Sequence, residues 1–148
     1  PEGRAQMALG QYIAGMGFSN VGLGIVHSMA HPLSAVYDIP HGVACAILLT
    51  PVLKFNAPST ANKYRDIAVA MGVKNTEDMS IEQARQACIE AVEKLSVDVG
   101  IPQELTQLGV KEEDLQFLSE SAFVDACTPG NPRNVSVEAI KEIYKSIM

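Results

Sequence analysis

The fold is decided by residues 21–55, which read VGLGIVHSMAHPLSAVYDIPHGVACAILLTPVLKF. Two segments of this stretch, Val21 to Val36 and His41 to Phe55, are apolar on nearly every side, which predicts two helices buried at the centre of the protein. Pro32 and Pro51 each remove a backbone donor and crowd the preceding turn, so both helices are expected to kink or break there. Pro40 suits a helix start because its fixed φ fits a first turn.

Further helices are predicted on both sides of this central pair. From Ile81 onward, apolar residues recur in steps of three and four after the capping-box pair Ser80 and Gln83, and Gly100 ends the run. Other helical patterns cover Arg4 to Ile13, Thr60 to Met71, Glu112 to Ser121 and a last segment from Ser136. Residues 128–133 have the composition of a turn, and no segment alternates with a period of two. The sequence predicts an all-α fold, a bundle of six to eight helices in one domain of residues 1–148.

The composition is that of a globular protein, with 47% apolar and 19% charged residues among 148. A formal net charge of -6 argues against a nucleic-acid-binding surface, which concentrates Lys and Arg. Three distant cysteines without a CxxC pair indicate reduced thiols in a cytoplasmic protein. No uninterrupted run reaches the about 18 apolar residues of a membrane span, so we expect neither nucleic acid nor membrane as a partner.

All the histidines of the chain lie between residues 27 and 41. His27 and His31 are four residues apart and share a helix face, and His41 opens the next helix after a short loop that can bring its ring back toward the other two. Imidazole is a ligand suited to Zn, Fe, Cu and Ni. A lone histidine on an apolar face is more often a hydrogen-bonded core residue. Three in the most buried helices favour a metal or catalytic site, because burying unpaired imidazoles costs stability.

Two familiar kinds of site are excluded by their motifs. The His27–His31 pair lacks the glutamate of a zinc-protease helix, since Ser28, Met29 and Ala30 intervene. The glycines at positions 15, 17, 22 and 24 do not form the GxGxxG pattern of a dinucleotide loop, and there is no Walker-type GK[ST] sequence.

Residues 15–33, GMGFSNVGLGIVHSMAHPL, followed by Pro40-His41-Gly42, resemble the signature of the iron-containing (group III) alcohol dehydrogenases, closest to their lactaldehyde reductase (propanediol oxidoreductase) branch. The resemblance continues through residues 63–68, 70–73, 98–102 and 127–133. It implies the helical C-terminal domain of the dehydroquinate synthase-like fold, without the nucleotide-binding α/β domain of the intact enzyme. Ser34 departs from the family pattern, which usually has glycine there.

The resemblance also implies roles for five residues. Positions matching His27 and His41 supply two ligands of a divalent metal, Fe²⁺ or Zn²⁺, in the cleft between two domains, and an aspartate and a further histidine come from the absent part. His31 matches a histidine beside the nicotinamide that is not a ligand and that has a role in proton relay or substrate orientation. Phe18 matches an aromatic residue of the nicotinamide and substrate pocket, and Cys127 falls in a segment near it.

The function implied by the resemblance is hydride transfer between NAD(P), held through the absent domain, and a small alcohol or aldehyde in a homo-oligomeric enzyme. The 148 residues alone are expected to be inactive, because two imidazoles fall short of the three protein ligands of a typical catalytic zinc site. Two alternatives stay open. One is a zinc-dependent relative such as a glycerol dehydrogenase or a dehydroquinate synthase. The other is a non-catalytic helical module that binds a partner or stores metal.

Overall fold

The computed structural model describes residues 1–148 and consists of helices and connecting turns, without a strand. Seven α-helices follow one another along the chain: α1 (Glu2–Val21), α2 (Ile25–Tyr37), α3 (His41–Asn56), α4 (Lys63–Ala70), α5 (Ile81–Asp98), α6 (Leu115–Phe123) and α7 (Val137–Lys145). Five short 3₁₀ turns join them: Ala57–Ser59, Thr76–Asp78, Leu105–Leu108, Glu112–Asp114 and Thr128–Gly130. The prediction of an all-α fold with six to eight helices is confirmed.

The main core lies between α2, α3, α6 and α7. Met29 and Leu33 of α2, Leu48 of α3 and Leu118 of α6 are fully buried there. Tyr144 of α7 enters the same core, and its hydroxyl donates a 2.7 Å hydrogen bond to the Met29 carbonyl. Because α2 and α3 contact several partners at once, their nearly continuous apolar sequence is explained by burial on more than one side.

A smaller core joins α4 to α5, where Tyr64, Ala68, Cys88 and Ile89 are buried together. The Tyr64 hydroxyl donates to the Leu53 carbonyl at 3.0 Å and so ties this pair to α3. The predicted capping box opens α5: the Ser80 hydroxyl accepts from the Gln83 amide, and the Gln83 side chain accepts from the Ser80 amide. Capping of this kind satisfies backbone donors that a helix start leaves free.

The helix starts and ends differ from the sequence prediction around residues 21–25. α1 continues to Val21, and Gly22 ends it with a φ of 83°, a left-handed conformation that glycine adopts without steric cost. α2 therefore begins at Ile25, not at Val21. Neither α2 nor α3 breaks at its proline. Both prolines are buried, and packing of the helices on both sides of them offsets the cost of about 3 kcal/mol that an interior proline imposes.

By length and composition alone, the segment His41–Ser59 is apolar enough to cross a membrane, and 44% of it is buried in the structure. This result differs from the expectation that no such segment exists, because the sequence prediction required an uninterrupted apolar run. The buried side chains of α3 lie in the main core, as those of a central helix in a globular protein do. The segment is therefore weak evidence for a membrane span.

Candidate metal centre

The turn between α2 and α3 brings the three histidine rings together. Asp38 adopts a left-handed conformation with a φ of 55°, which reverses the chain so that His41 returns toward α2. The ring centroid of His41 lies 5.5 Å from that of His27 and 5.5 Å from that of His31, and the His27 and His31 centroids are 6.3 Å apart. The His31 and His41 rings are exposed and His27 is half-buried, so the cluster faces the surface.

Cys45 joins two of these histidines in a compact group of metal-binding atoms. One ligand atom each of His27, His41 and Cys45 lies within 4.8 Å of the other two. The Cys45 sulfur is 3.4 Å from Nε2 of His41, one helical turn earlier on α3. Two imidazoles and a thiol are a donor set suited to a transition metal, so the residues present fit a metal ion. Sequence reasoning missed Cys45, although its four-residue spacing from His41 was visible.

His31 has a different partner. Its Nδ1 lies 2.8 Å from Oδ2 of Asp125, and Oδ1 of Asp125 accepts a 2.8 Å hydrogen bond from the backbone amide of Cys127. These three residues form the second close group of potential ligand atoms. Sequence reasoning also missed Asp125, and no local pattern reveals it because 94 residues separate it from His31.

The electrostatics of the cluster follow from burial and from like charges. Burial lowers the pKa of His27, and the neighbouring His41 and His31 lower it further against the opposing effect of Asp125. Desolvation raises the pKa of Asp125, but the hydrogen bonds from Cys127 and His31 outweigh it, so this pKa lies below its usual value. Burial raises the pKa of the Cys45 and Cys127 thiols. His27 is thus favoured as a neutral imidazole, the form that binds metal.

The segment after α6 is held against both central helices. The Asn131 side chain exchanges two hydrogen bonds with Asn56, of 2.9 and 2.8 Å, and accepts a 3.5 Å bond from the Ile25 amide at the start of α2. The Arg133 guanidinium donates to the Phe55 carbonyl at 2.6 Å and stacks over the Phe55 ring. Gly130 passes so close to the Leu23 carbonyl that any side chain would collide with it. These contacts fix where Asp125 and Cys127 lie relative to the histidines.

Phe18 and Cys127 line one open groove beside the histidines, together with Leu23 and Gly130. Phe18 lies in the last turn of α1 and is 44% exposed, and its ring centroid is 6.4 Å from that of His27. All five residues singled out in the sequence, from Phe18 to Cys127, therefore lie on one side of the molecule.

The model of the C-terminal part of the Fe-containing alcohol dehydrogenase family matches residues 1–148. The chain belongs to the iron-containing alcohol dehydrogenase family. The family resemblance predicted from the sequence is confirmed.

Curated relatives within the iron-containing alcohol dehydrogenases agree with this assignment. Lactaldehyde reductase of Escherichia coli is 60% identical over 139 residues, which are 94% of this chain and 36% of the relative. The 1,3-propanediol dehydrogenase of Citrobacter freundii is 44% identical over 142 residues, 96% of this chain and 36% of the relative. The chain therefore spans about a third of the length of these relatives.

Solved structures of iron-containing alcohol dehydrogenases have the same fold. The alcohol dehydrogenase from Oenococcus oeni matches with a TM-score of 0.86 and 39% identity over 91% of this chain and 35% of its own. A 1,3-propanediol oxidoreductase matches with a TM-score of 0.82 and 42% identity over 85% of this chain and 33% of its own. The fold predicted from the resemblance, that of the C-terminal domain of this family, is confirmed.

Proposed function

We propose that residues 1–148 form the metal-binding domain of an NAD(P)-dependent alcohol dehydrogenase or aldehyde reductase that acts on a small alcohol or aldehyde. The observation that carries this proposal is the convergence of His27 and His41 on the open side of the molecule, with ring centroids 5.5 Å apart. The relatives support the reaction class, since they include a lactaldehyde reductase, 1,3-propanediol dehydrogenases and an NAD-dependent methanol dehydrogenase.

His27 and His41 would hold the metal, for which the family favours iron. A divalent ion bound there would supply Lewis-acid chemistry to the oxygen of the alcohol or carbonyl. The contribution of the protein is to hold the two imidazoles close together, and burial favours the neutral, metal-binding form of His27 by lowering its pKa. The turn at Asp38 sets the distance between the two helices that carry them.

His31 would transfer a proton, and Asp125 would hold the His31 ring in position. With Nδ1–H donating to the Asp125 carboxylate, Nε2 of His31 is left without a proton and can accept one from a substrate hydroxyl or return it. The carboxylate also fixes the orientation of the ring, because its other oxygen is held by the Cys127 amide. Phe18 and Cys127 line the adjoining groove, where the nicotinamide and the substrate carbon would lie.

The whole enzyme would bind NAD(P) through a second domain and assemble as a homo-oligomer. A cytoplasmic location is proposed as well, and three free cysteines without a disulfide support it. A zinc-dependent relative is the second candidate, because the nearby Cys45 sulfur is a soft donor that suits zinc. The third hypothesis, a free-standing module, predicted a surface without an apolar wall, whereas α1 exposes Met7, Tyr12 and Ile13.

The test of this function uses the full-length protein with His27→Ala and, separately, His41→Ala. We expect each variant to lose its bound metal in elemental analysis and its aldehyde-dependent NADH oxidation by about 100-fold or more, because each change removes a ligand. Lys94→Ala, at an exposed site on α5, is the control, and this variant should keep both its bound metal and its activity. An enzyme that retains metal and activity without either imidazole would contradict the proposal. So would turnover by residues 1–148 alone.

A further inference from the structure

A cavity of about 260 Å³ lies between α3, the second half of α5 and the C-terminal residues. Thr50, in its wall, follows His41 on α3 by nine residues, which places it on the opposite face of the helix and about 14 Å further along it. The cavity is therefore separate from the metal centre. We propose that it is a binding site for a compact, uncharged polyol, and this inference does not depend on the proposed function.

The residue that points to a ligand is Thr50. Its side chain is 8% exposed and lines the cavity, yet its hydroxyl makes no hydrogen bond to another group of the protein. The unpaired Ser34 hydroxyl is sealed inside the protein, but that of Thr50 is not, so it opens into the cavity. Because a buried hydroxyl without a partner is costly, a ligand hydroxyl that pairs with it is favoured.

Pro51 adds a second group that lacks its usual partner. Proline has no amide hydrogen, so residue 51 cannot donate to the carbonyl of Ile47, four residues earlier on α3. Ile47 and Pro51 both line the cavity. The residues of the wall thus include a backbone acceptor whose normal helix donor is missing, beside a threonine whose hydroxyl is free.

The other hydroxyl groups of the wall offer both a donor and an acceptor. The Ser96 hydroxyl accepts a 3.3 Å bond from the Gln103 side chain and keeps its own hydrogen for a ligand. The Ser146 hydroxyl donates to the Ile143 carbonyl at 2.7 Å, which leaves its oxygen able to accept. A hydroxyl group both donates and accepts, so a molecule with several hydroxyl groups matches this mixed set.

The charges in the wall cancel each other. Lys54 and Glu93 are its only charged residues, and their side chains pair with Nζ 3.1 Å from Oε1. An anion in the cavity would meet the Glu93 carboxylate and a cation would meet the Lys54 ammonium, so an uncharged ligand is favoured. The volume lies below the roughly 300 to 1,000 Å³ of sites for drug-sized ligands, which limits the occupant to a compact molecule.

The experiment titrates the isotope-labelled protein with erythritol and follows the backbone amides by NMR. We expect saturable shifts at Thr50, Ser96 and Gln103, with the millimolar affinity that so small a molecule can reach. The diol 1,4-butanediol has the same carbon chain without the inner hydroxyl groups. It should bind roughly tenfold more weakly, because it leaves polar groups of the wall unpaired. Tartrate, with a carboxylate at each end of the chain, should also bind more weakly because of Glu93.

Thr50→Val tests the residue on which the inference rests, because it removes the hydroxyl and keeps the shape of the side chain. We expect it to weaken erythritol binding by about threefold to tenfold, the effect of one hydrogen bond. Its urea midpoint of unfolding should not fall, since no protein partner is lost. Thr60→Val is the matched control. Thr60 is 7% exposed, lies outside the cavity and already donates to the Ala57 carbonyl at 2.8 Å, so this variant should keep the affinity for erythritol.

Each contrary outcome has a defined meaning. The absence of a saturable shift would mean that the cavity holds only water, and it overturns the proposal. Equal affinity for erythritol and 1,4-butanediol, or tighter binding of tartrate, overturns the assignment to an uncharged polyol. Shifts confined to the histidine cluster would place the polyol at the metal centre instead. Full erythritol affinity in Thr50→Val, or a lower urea midpoint of that variant, overturns the role of the Thr50 hydroxyl and with it the inference.

Discussion

The side chains around His31 and His41 show how single residues set the chemistry of the site. His41 lies 3.4 Å from the Cys45 sulfur, whereas His31 lies 2.8 Å from the Asp125 carboxylate. Two neighbouring imidazoles of similar exposure thus have different partners, a soft sulfur and an anionic oxygen. In the proposed function, His41 would bind the metal, and the Asp125 carboxylate would orient His31 for proton transfer.

Ser34 is a residue whose effect on stability can be predicted. Its hydroxyl oxygen is buried in α2 and has no hydrogen-bond partner. Ser34→Ala removes this unpaired group and supplies a better helix former, so we expect the free energy of unfolding in urea to rise by about 1 kcal/mol. Ser34→Gly, the residue usual in the family, should leave it nearly unchanged, because glycine in a helix costs about 1 kcal/mol.

Ser28→Ala is the matched control for this prediction. Ser28 is fully buried in the same helix, but its oxygen is 2.8 Å from the Thr128 hydroxyl. Its removal should lower the free energy of unfolding, the opposite sign, because it deletes a hydrogen bond that a fully buried hydroxyl makes with Thr128. If Ser34→Ala and Ser28→Ala both destabilise the chain, the Ser34 hydroxyl has a partner in solution.

Among the helices, α1 differs from all others because none of its 20 residues is buried. Its apolar side chains are exposed to solvent, including Met7 at 73% and Tyr12 at 61%. A helix obtains most of its stability from packing, so α1 contributes little to the fold of these 148 residues. Only the last turn of α1 reaches the histidine cluster, where Phe18 lies beside His27.

Deletion of α1 tests whether this helix contributes to the stability of the fold. We expect residues 22–148 to have a free energy of unfolding within about 0.5 kcal/mol of that of the whole chain, as is typical for changes that remove no buried contact. Tyr144→Phe is the comparison, because losing its hydrogen bond to the Met29 carbonyl should cost about 1 kcal/mol. A loss of several kcal/mol on deleting α1 would mean that the helix packs against the core in solution.

At the scale of the whole molecule, the site depends on contacts between distant parts of the chain. The His31–Asp125 pair joins α2 to the segment after α6 across 94 residues. Asn131 and Arg133 fasten that segment to the start of α2 and the end of α3. The same contacts that complete the fold therefore place Asp125 beside His31.

This long-range pair predicts a pH dependence of stability. The pKa of Asp125 is lowered in the folded chain from an ordinary value of 3.8, so its contribution is complete above that value and is lost as the pH falls below it toward the folded pKa. We expect Asp125→Asn to lower the free energy of unfolding by about 1 kcal/mol at pH 7 and by much less at pH 3. Urea unfolding of both proteins at the two pH values measures the difference.

The matched control for the pH prediction is Asp98→Asn. Asp98 pairs with Lys94 at the exposed end of α5, and such pairs contribute between about 0 and 1 kcal/mol. At pH 7, Asp98→Asn should lower the free energy of unfolding by less than Asp125→Asn does. An Asp125→Asn effect of the same size at both pH values would show that the carboxylate charge does not stabilise the fold.

The helices and their caps were determined by the sequence alone. The periodicity from Ile81, the Ser80–Gln83 capping box and the nearly continuous apolar segments depend on residues three and four apart, which are neighbours on any helix. The same short-range logic, with the family resemblance, indicated His27, His31 and His41. It could also have indicated Cys45 from its spacing to His41.

Only the tertiary structure decided which distant residues complete the site. Asp125 reaches His31, and Gly130 meets Leu23, because packing brings segments about a hundred residues apart into contact. The start of α2 at Ile25 and the continuity of both proline-containing helices were also decided by packing, against the local preference for a break. A periodic pattern shows that a face is apolar, but only the folded chain determines what that face contacts and, as α1 demonstrates, whether anything in this chain covers it.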